Sequence, residues 1–193
     1  ELVDSWDWRE RHGANDPQKE QYYYDGDTFG TGWLTSVKDQ EYDDGGQAYV
    51  CKGLCYIYGP LGVLEGLANI YFNGHIDYDL SEQQVLDCDN YNSSQQCDRG
   101  EADITITYAE EVGIASEDCY PRKDSPEICY LDDIPLSERF YQLKISEGIN
   151  VVHTSNEIIK EALIQHGPLS VILANYSEKG NHYLVLVGYK IIR

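Results

Sequence analysis

The sequence predicts an α+β fold of two lobes, a helical N-terminal lobe and a β-rich C-terminal lobe with a cleft between them. Three observations predict it. Helical spacing closed by stop signals dominates the first half of the chain. Two apolar runs of strand length, Leu169 to Leu173 and Tyr183 to Val187, stand in the second half. The 193 residues, 41% of them hydrophobic, suffice for one compact unit or two small lobes, and there is neither an internal repeat nor a low-complexity tract. The chain 1–193 is expected to be a single domain, its helical lobe over about 15–115 and its β-rich lobe over about 116–193 plus an N-terminal strap.

The elements follow in order. From Asp4 to Trp33 the chain is polar, aromatic and rich in turn formers, with Tyr22-Tyr23-Tyr24 before Asp25-Gly26-Asp27, and reads as an irregular surface segment. Glu41 to Gly46 reads as an exposed loop; neither aspartate cluster has the spacing of a calcium loop. The strongest helix runs from about Cys55 to Phe72, with Leu61, Leu64, Ala68, Tyr71 and Phe72 at helical spacing and Asn73-Gly74 as the stop. Ser81 caps a short helix ending near Cys88. A third helix is expected from Gly100 to Val112, closed by Gly113, and a fourth from Asn156 to His166, with Ser155 as its cap and Gly167-Pro168 as its terminator. Trp6, Trp8 and Trp33 read as packing residues at the lobe junction.

The formal net charge of −20, from 34 acidic against 14 basic residues, argues against nucleic acid as a partner, because a phosphate backbone would be repelled and no basic cluster offers an exception. It reads as solubility in an extracellular or salty medium. No apolar run approaches the roughly 20 residues needed to span a bilayer. The N-terminus shows no basic region followed by an apolar core, so the chain from Glu1 reads as a mature or trimmed product. The six cysteines sit in loop-like surroundings, which favours disulfides and an oxidising compartment. Their spacings are irregular and no His pair has zinc-ligand spacing, so no metal or other cofactor is expected.

Chemistry centres on Cys55 and His182. A nucleophilic thiolate needs a lowered pKa, and a helix N-terminus beside an imidazolium supplies it. Cys55, after Gly53-Leu54, opens the long helix, where the positive end of the dipole would face the thiol. His182 follows a turn-like Glu178-Lys179-Gly180-Asn181 and enters an apolar strand, a place where a base can face a cleft. His12, His75, His153 and His166 occupy turn or helix-end settings with no expected catalytic role. Asn92-Ser93-Ser94 and Asn175-Tyr176-Ser177 match the N-glycosylation acceptor pattern.

Around this pair the motifs are colinear. Ser5-Trp6-Asp7-Trp8-Arg9, Val37-Lys38-Asp39-Gln40, Gly53-Leu54-Cys55-Tyr56 followed by Leu64-Glu65-Gly66, Leu80-Ser81-Glu82-Gln83 with Leu86-Asp87-Cys88, Gly167-Pro168-Leu169-Ser170-Val171, and Asn181 to Tyr189 cover most of the chain. Together they resemble the papain-like cysteine proteases, in cathepsin-like form; the opening and the tyrosine after the cysteine resemble the cathepsin C and cathepsin X branches. The resemblance implies the two-lobe papain-like fold, a peptide or protein substrate, and a secreted, extracellular or lysosome-like location. It implies Cys55 as nucleophile, His182 as general base and Gln40 as oxyanion donor. Gly100 and Arg99, from Cys97-Asp98-Arg99-Gly100, together with Tyr56 and Asn181, would line the substrate strip. It further implies disulfides Cys51–Cys97 and Cys88–Cys129, which leave Cys55 free and Cys119 without an obvious partner.

The sequence also departs from that pattern. The motif carrying the asparagine that orients the histidine does not appear before Arg193, so the domain is expected to be incomplete at its C-terminus. Little chain separates Leu173 from His182. Extra residues lie between Gln40 and Cys55, which makes Gln47 a substitute candidate for the oxyanion donor. Pro60 falls inside the nucleophile helix, where a missing N–H is expected to bend it, and Leu54 and Gly59 replace small hydroxyl residues. The leading expectation is thiol-dependent hydrolysis of peptide bonds through an acyl-enzyme. The alternative is a papain-like homologue with impaired or lost catalysis, serving binding or structure.

Overall fold

The computed structural model describes residues 2–9, 32–40, 51, 53–74, 76–89, 97, 100–123, 125–135, 137, 139–140, 155–177 and 180–192. The two aspartate-rich loops, Gln47, Arg99, the Asn92 glycosylation pattern, His12, His75 and His153 lie outside the described residues.

In chain order the elements are β1 (Ser5–Asp7), α1 (Cys55–Phe72), α2 (Glu82–Cys88), α3 (Ala102–Glu111), β2 (Ile114–Ala115), a 3-10 turn (Leu131–Asp133), β3 (Arg139–Phe140), α4 (Asn156–His166), β4 (Leu169–Ser177), β5 (Gly180–Leu186) and β6 (Gly188–Lys190). Each sheet is a two-stranded antiparallel pair, β1 with β6, β2 with β3 and β4 with β5. Within the segment expected to be irregular, Trp6 pairs with Tyr189, so the N-terminal strap joins the last strand.

Helix α1 continues through Pro60 without a break in its helical assignment. Its buried stripe, including Ile57, Leu61, Leu64 and Ala68, faces the core. Tyr71 and Phe72, expected on that stripe, stand 74% and 55% exposed, whereas Asn69 in the same turn is buried. Asn73 takes the left-handed conformation (φ 50°) that ends the helix, and the Asn69 side chain bridges both backbone groups of Ile76. The Ser81 hydroxyl accepts from the Gln84 N–H at 3.0 Å, capping α2. At α4 the cap position is Ser155, but its hydroxyl makes no capping bond to the backbone; it partners the Glu157 carboxylate.

Two apolar clusters form the core of the described residues. Leu54, Ile57, Leu61, Leu86, Ile114 and Tyr120 belong to the larger one. Trp8, Trp33 and Leu163 form the other, with Leu169, Leu186 and Tyr189 against them, and the Trp8 indole donates to the Leu163 carbonyl at 2.7 Å. Helix α1 lies between the lobes. Its face toward β5 is cut by glycines: a Cβ at Gly59 would stand 3.2 Å from Tyr183 Cβ, and one at Gly62 would stand 3.1 Å from Val185 Cγ2. The strand therefore lies close against the helix backbone.

Candidate active site

Cys55 is the first residue of α1, with its side chain half-buried. No side chain caps the helix at Leu54, and the first turn carries no acidic residue.

The β4–β5 hairpin carries His182. Its register pairs Leu173 with His182, Ile172 with Tyr183, and Ser170 with Val185. Tyr183 lies beside Gly59 and Val185 beside Gly62, so β5 runs along α1 in the same direction. One helical turn back from Gly59, about 6 Å along the axis, is Cys55. One residue back from Tyr183, about 3.3 Å along the strand, is His182. The register thus brings Cys55 and His182 to the same end of the two packed elements, although far apart in sequence. Alternation turns the imidazole away from the face that Tyr183 presents to α1. His182 stacks on Tyr176, with ring centroids 4.9 Å apart and planes at 23°. Among the described residues no hydrogen bond joins the thiol and the imidazole.

Gly100 lies directly over Tyr56, where a Cβ would overlap the phenol ring. Tyr56 itself is only 3% exposed, so its ring supports Gly100 from behind rather than facing a groove. Asn181 is exposed, and its side-chain oxygen accepts from the Asn175 N–H at 3.2 Å. Gln40 is half-buried at the end of the 32–40 segment.

Two residues that sequence reasoning did not single out span the lobes here. The Tyr183 hydroxyl, from β5, donates to Glu101 Oε2 at 2.7 Å, and Glu101 is the residue that precedes α3. Burial, together with that carboxylate, pushes the phenol up to about 12. The neighbourhood of Gly100 gave a hint in the sequence, but a cross-lobe hydrogen bond leaves no local pattern.

A partly buried ionic cluster gathers around Lys38. Lys38 Nζ reaches Glu65 at 2.8 Å, Asp79 at 2.8 Å and Glu82 at 3.1 Å. Glu65 also accepts from the Thr35 hydroxyl at 2.7 Å and the Leu80 N–H at 2.8 Å. Burial pushes the Glu65 and Glu82 carboxyls up to about 7, against the pull of Lys38. Glu117 is likewise pushed up to about 7 by burial. Burial works against the Lys38 ammonium too, but Glu82, Glu65 and Asp79 outweigh it and hold its pKa above the usual lysine range. The cluster ties the 32–40 segment, which ends in Gln40, to the middle of α1 and the start of α2.

Disulfides join Cys51 to Cys97 and Cys88 to Cys129. Cys55 and Cys119 keep their thiols. The first disulfide fastens the approach to α1 to the segment before Gly100, and Gly53 N–H donates to the Cys97 carbonyl at 2.8 Å.

Residues 2–190 match the family described as papain family cysteine protease. The viral cathepsin of Adoxophyes honmai nucleopolyhedrovirus is 31% identical over 175 residues, covering 81% of this chain and 45% of that protein. Cysteine proteinase 1 of Entamoeba histolytica is 27% identical over 161 residues, covering 72% of this chain and 49% of that protein. The chain therefore spans about half the length of the curated relatives it matches. Among solved structures, digestive procathepsin L 3 of Tenebrio molitor larval midgut superposes with a TM-score of 0.64 at 21% identity, covering 98% of this chain and 56% of that one. A structure from work on antibody cross reactivity between the mite allergens Blo t 1 and Der p 1 superposes with a TM-score of 0.67 at 21% identity, covering 100% and 58%. With the papain-like fold and a family match running from residue 2 to residue 190, the chain belongs to the papain family of cysteine proteases.

Proposed function

We propose that the protein hydrolyses peptide bonds, with Cys55 as nucleophile and His182 as general base. The observation that carries this reading is the parallel packing of β5 along α1, which sets both residues at one end of the interlobe contact. The Cys55 thiolate attacks the peptide carbonyl carbon, and the carbonyl electrons move to oxygen. Gln40 and the Cys55 backbone N–H hold that oxyanion. Collapse expels the amine, which takes the proton from the His182 imidazolium, and leaves a thioester at Cys55. Water, deprotonated by His182, then attacks the thioester and releases the carboxylate. Gly100, Arg99 and Asn181 line the approach of the peptide, with Tyr56 beneath Gly100.

The finer placements belong to the same proposal. The Trp6-Asp7-Trp8-Arg9 opening supports a cathepsin C or cathepsin X branch, and the two disulfides support a secreted, extracellular or lysosome-like compartment. Residues 1–193 form part or all of one peptidase domain.

A second reading, a protease fold retained for binding, is favoured by the His182 ring stacking on Tyr176 with no hydrogen bond to the thiol among the described residues. A peptidyl epoxide separates the two. Under the first reading it alkylates Cys55 near pH 6, located by mass spectrometry, and the adduct is lost in His182→Ala. A folded full-length protein that stays unlabelled at Cys55 overturns that reading and leaves the second.

A further inference from the structure

The β4–β5 hairpin is irregular at one place. Between the pairs Leu173↔His182 and Ser177↔Gly180, β4 contributes Ala174, Asn175 and Tyr176, whereas β5 contributes Asn181 alone. Such a bulge breaks the alternation of side chains and re-aims whatever follows it. Leu173 and His182, as a cross-strand pair, share a face. Tyr176 is three residues beyond Leu173, so a regular strand would turn it to the opposite face.

Asn175 reverses this. It adopts a left-handed backbone (φ 54°), which asparagine tolerates better than other residues with a Cβ, and its N–H donates to the side-chain oxygen of Asn181 at 3.2 Å. The reversal returns Tyr176 to the face of His182, where the two rings stack at 4.9 Å and 23°. Asn181 is the immediate neighbour of His182, so bulge, brace and stack form one local unit. The tyrosine ring covers one face of the imidazole and restricts its rotation about the side-chain bonds.

We propose that Tyr176 is a positioning residue for His182, aimed by the Asn175 bulge, and that it sets the imidazole orientation from which the base acts. The proposal rests on the reading of His182 as general base. Tyr176 touches neither thiol nor substrate in this role; it acts through the imidazole.

The test uses the full-length protein with Tyr176→Phe, Tyr176→Ala and Asn175→Val. The phenylalanine keeps the stack. The alanine removes it, and the valine keeps the tyrosine but disfavours the left-handed turn that aims it. The first readout is the ring-current shift of the His182 ring protons by NMR, which does not depend on turnover. It should be retained in Tyr176→Phe and lost in both other variants. The second readout is steady-state cleavage of a fluorogenic peptide. Tyr176→Ala and Asn175→Val should lower kcat by roughly tenfold to a hundredfold with KM within about twofold, the scale expected when a reacting group is misplaced by about 1 Å. Tyr176→Phe should restore kcat to within about twofold of the parent. Unshifted His182 resonances in the parent protein, or an unchanged kcat in Tyr176→Ala, overturns the proposal. Failure of the base reading itself has a different signature, full turnover in His182→Ala.

Discussion

The Thr105 hydroxyl donates to the Tyr56 carbonyl at 3.0 Å. Tyr56 is four residues before Pro60, and a helix proline has no N–H to offer that carbonyl. Helix α3 therefore supplies the hydrogen bond that α1 cannot make for itself, in a place where Thr105 is 0% exposed. Helix α1 thereby continues through Pro60, with Cys55 as its first residue. Thr105→Val should cost about 1–3 kcal/mol, the usual penalty for stranding a buried acceptor. In a Pro60→Ala background the same change should cost less, since residue 60 then carries an N–H. Urea unfolding of the four proteins measures the difference, and equal costs in both backgrounds would count against the pairing.

Much of this was legible from residue order alone. The bounds of α1 follow from apolar spacing and from Asn73-Gly74, and Ser81 announces α2. Even the deficit at Tyr56 could be read from Pro60, because the missing bond is fixed at four residues. Its remedy could not, because Thr105 arrives from a separate helix. The same holds for Tyr183 and Glu101, and for Lys38 among its carboxylates: each is a contact between distant segments, and the local sequence around each partner looks ordinary. Tyr176 was hidden for another reason. Alternation would place it on the wrong face, and a backbone reversal at a non-glycine residue has only a weak sequence signal.

The buried carboxyls make stability depend on pH in an unusual direction. Glu65, Glu82 and Glu117 have folded values raised to about 7, above the ordinary glutamate range. Between those two values the folded protein binds more protons than the unfolded chain, so stability falls as pH rises. Each such proton is worth up to about 1.4 kcal/mol per pH unit. The urea midpoint should therefore decline between about pH 5 and about pH 7, and Glu82→Gln should flatten the decline. A midpoint that rises steadily across this interval would show that Lys38 holds all of these carboxyls ionised.

Removing Lys38 is expected to be severe at neutral pH. Lys38→Met leaves Glu65 and Glu82 buried without their cation, a loss of about 3–5 kcal/mol for a broken buried pair. Lowering the pH toward 5 should recover part of it, as the stranded carboxyls take up protons. Thermal denaturation at the two pH values reports this directly; an equal loss at both would mean the lysine contributes through packing of its stem.

Across the lobes, Glu101→Gln should lower the Tyr183 phenol from about 12, because the carboxylate beside it opposes ionisation. The fall should be partial, since burial is the larger cause. Tyrosine labelled with 13C at Cζ and titrated by NMR gives the midpoint, with Tyr183→Phe to assign the resonance. No movement on Glu101→Gln would mean that the bridge is absent in solution.

The glycine face of α1 offers the most direct link between packing and chemistry. A side chain at Gly59 meets Tyr183 and Ser170, and one at Gly62 meets Val185. Gly62→Val should wedge β5 away from the helix, a strain of about 1–3 kcal/mol in stability. The same wedge displaces His182 relative to Cys55, since both are carried by the two elements that it separates. Epoxide labelling at Cys55 should slow by about a hundredfold if the shift approaches 1 Å. Gly74→Ala, where an added Cβ would stand 3.2 Å from the Asn69 side chain at the far end of α1, serves as the control. It should leave the labelling rate unchanged. Loss of stability with undiminished labelling in Gly62→Val would show that the thiol reacts without the strand, and that His182 is not its partner.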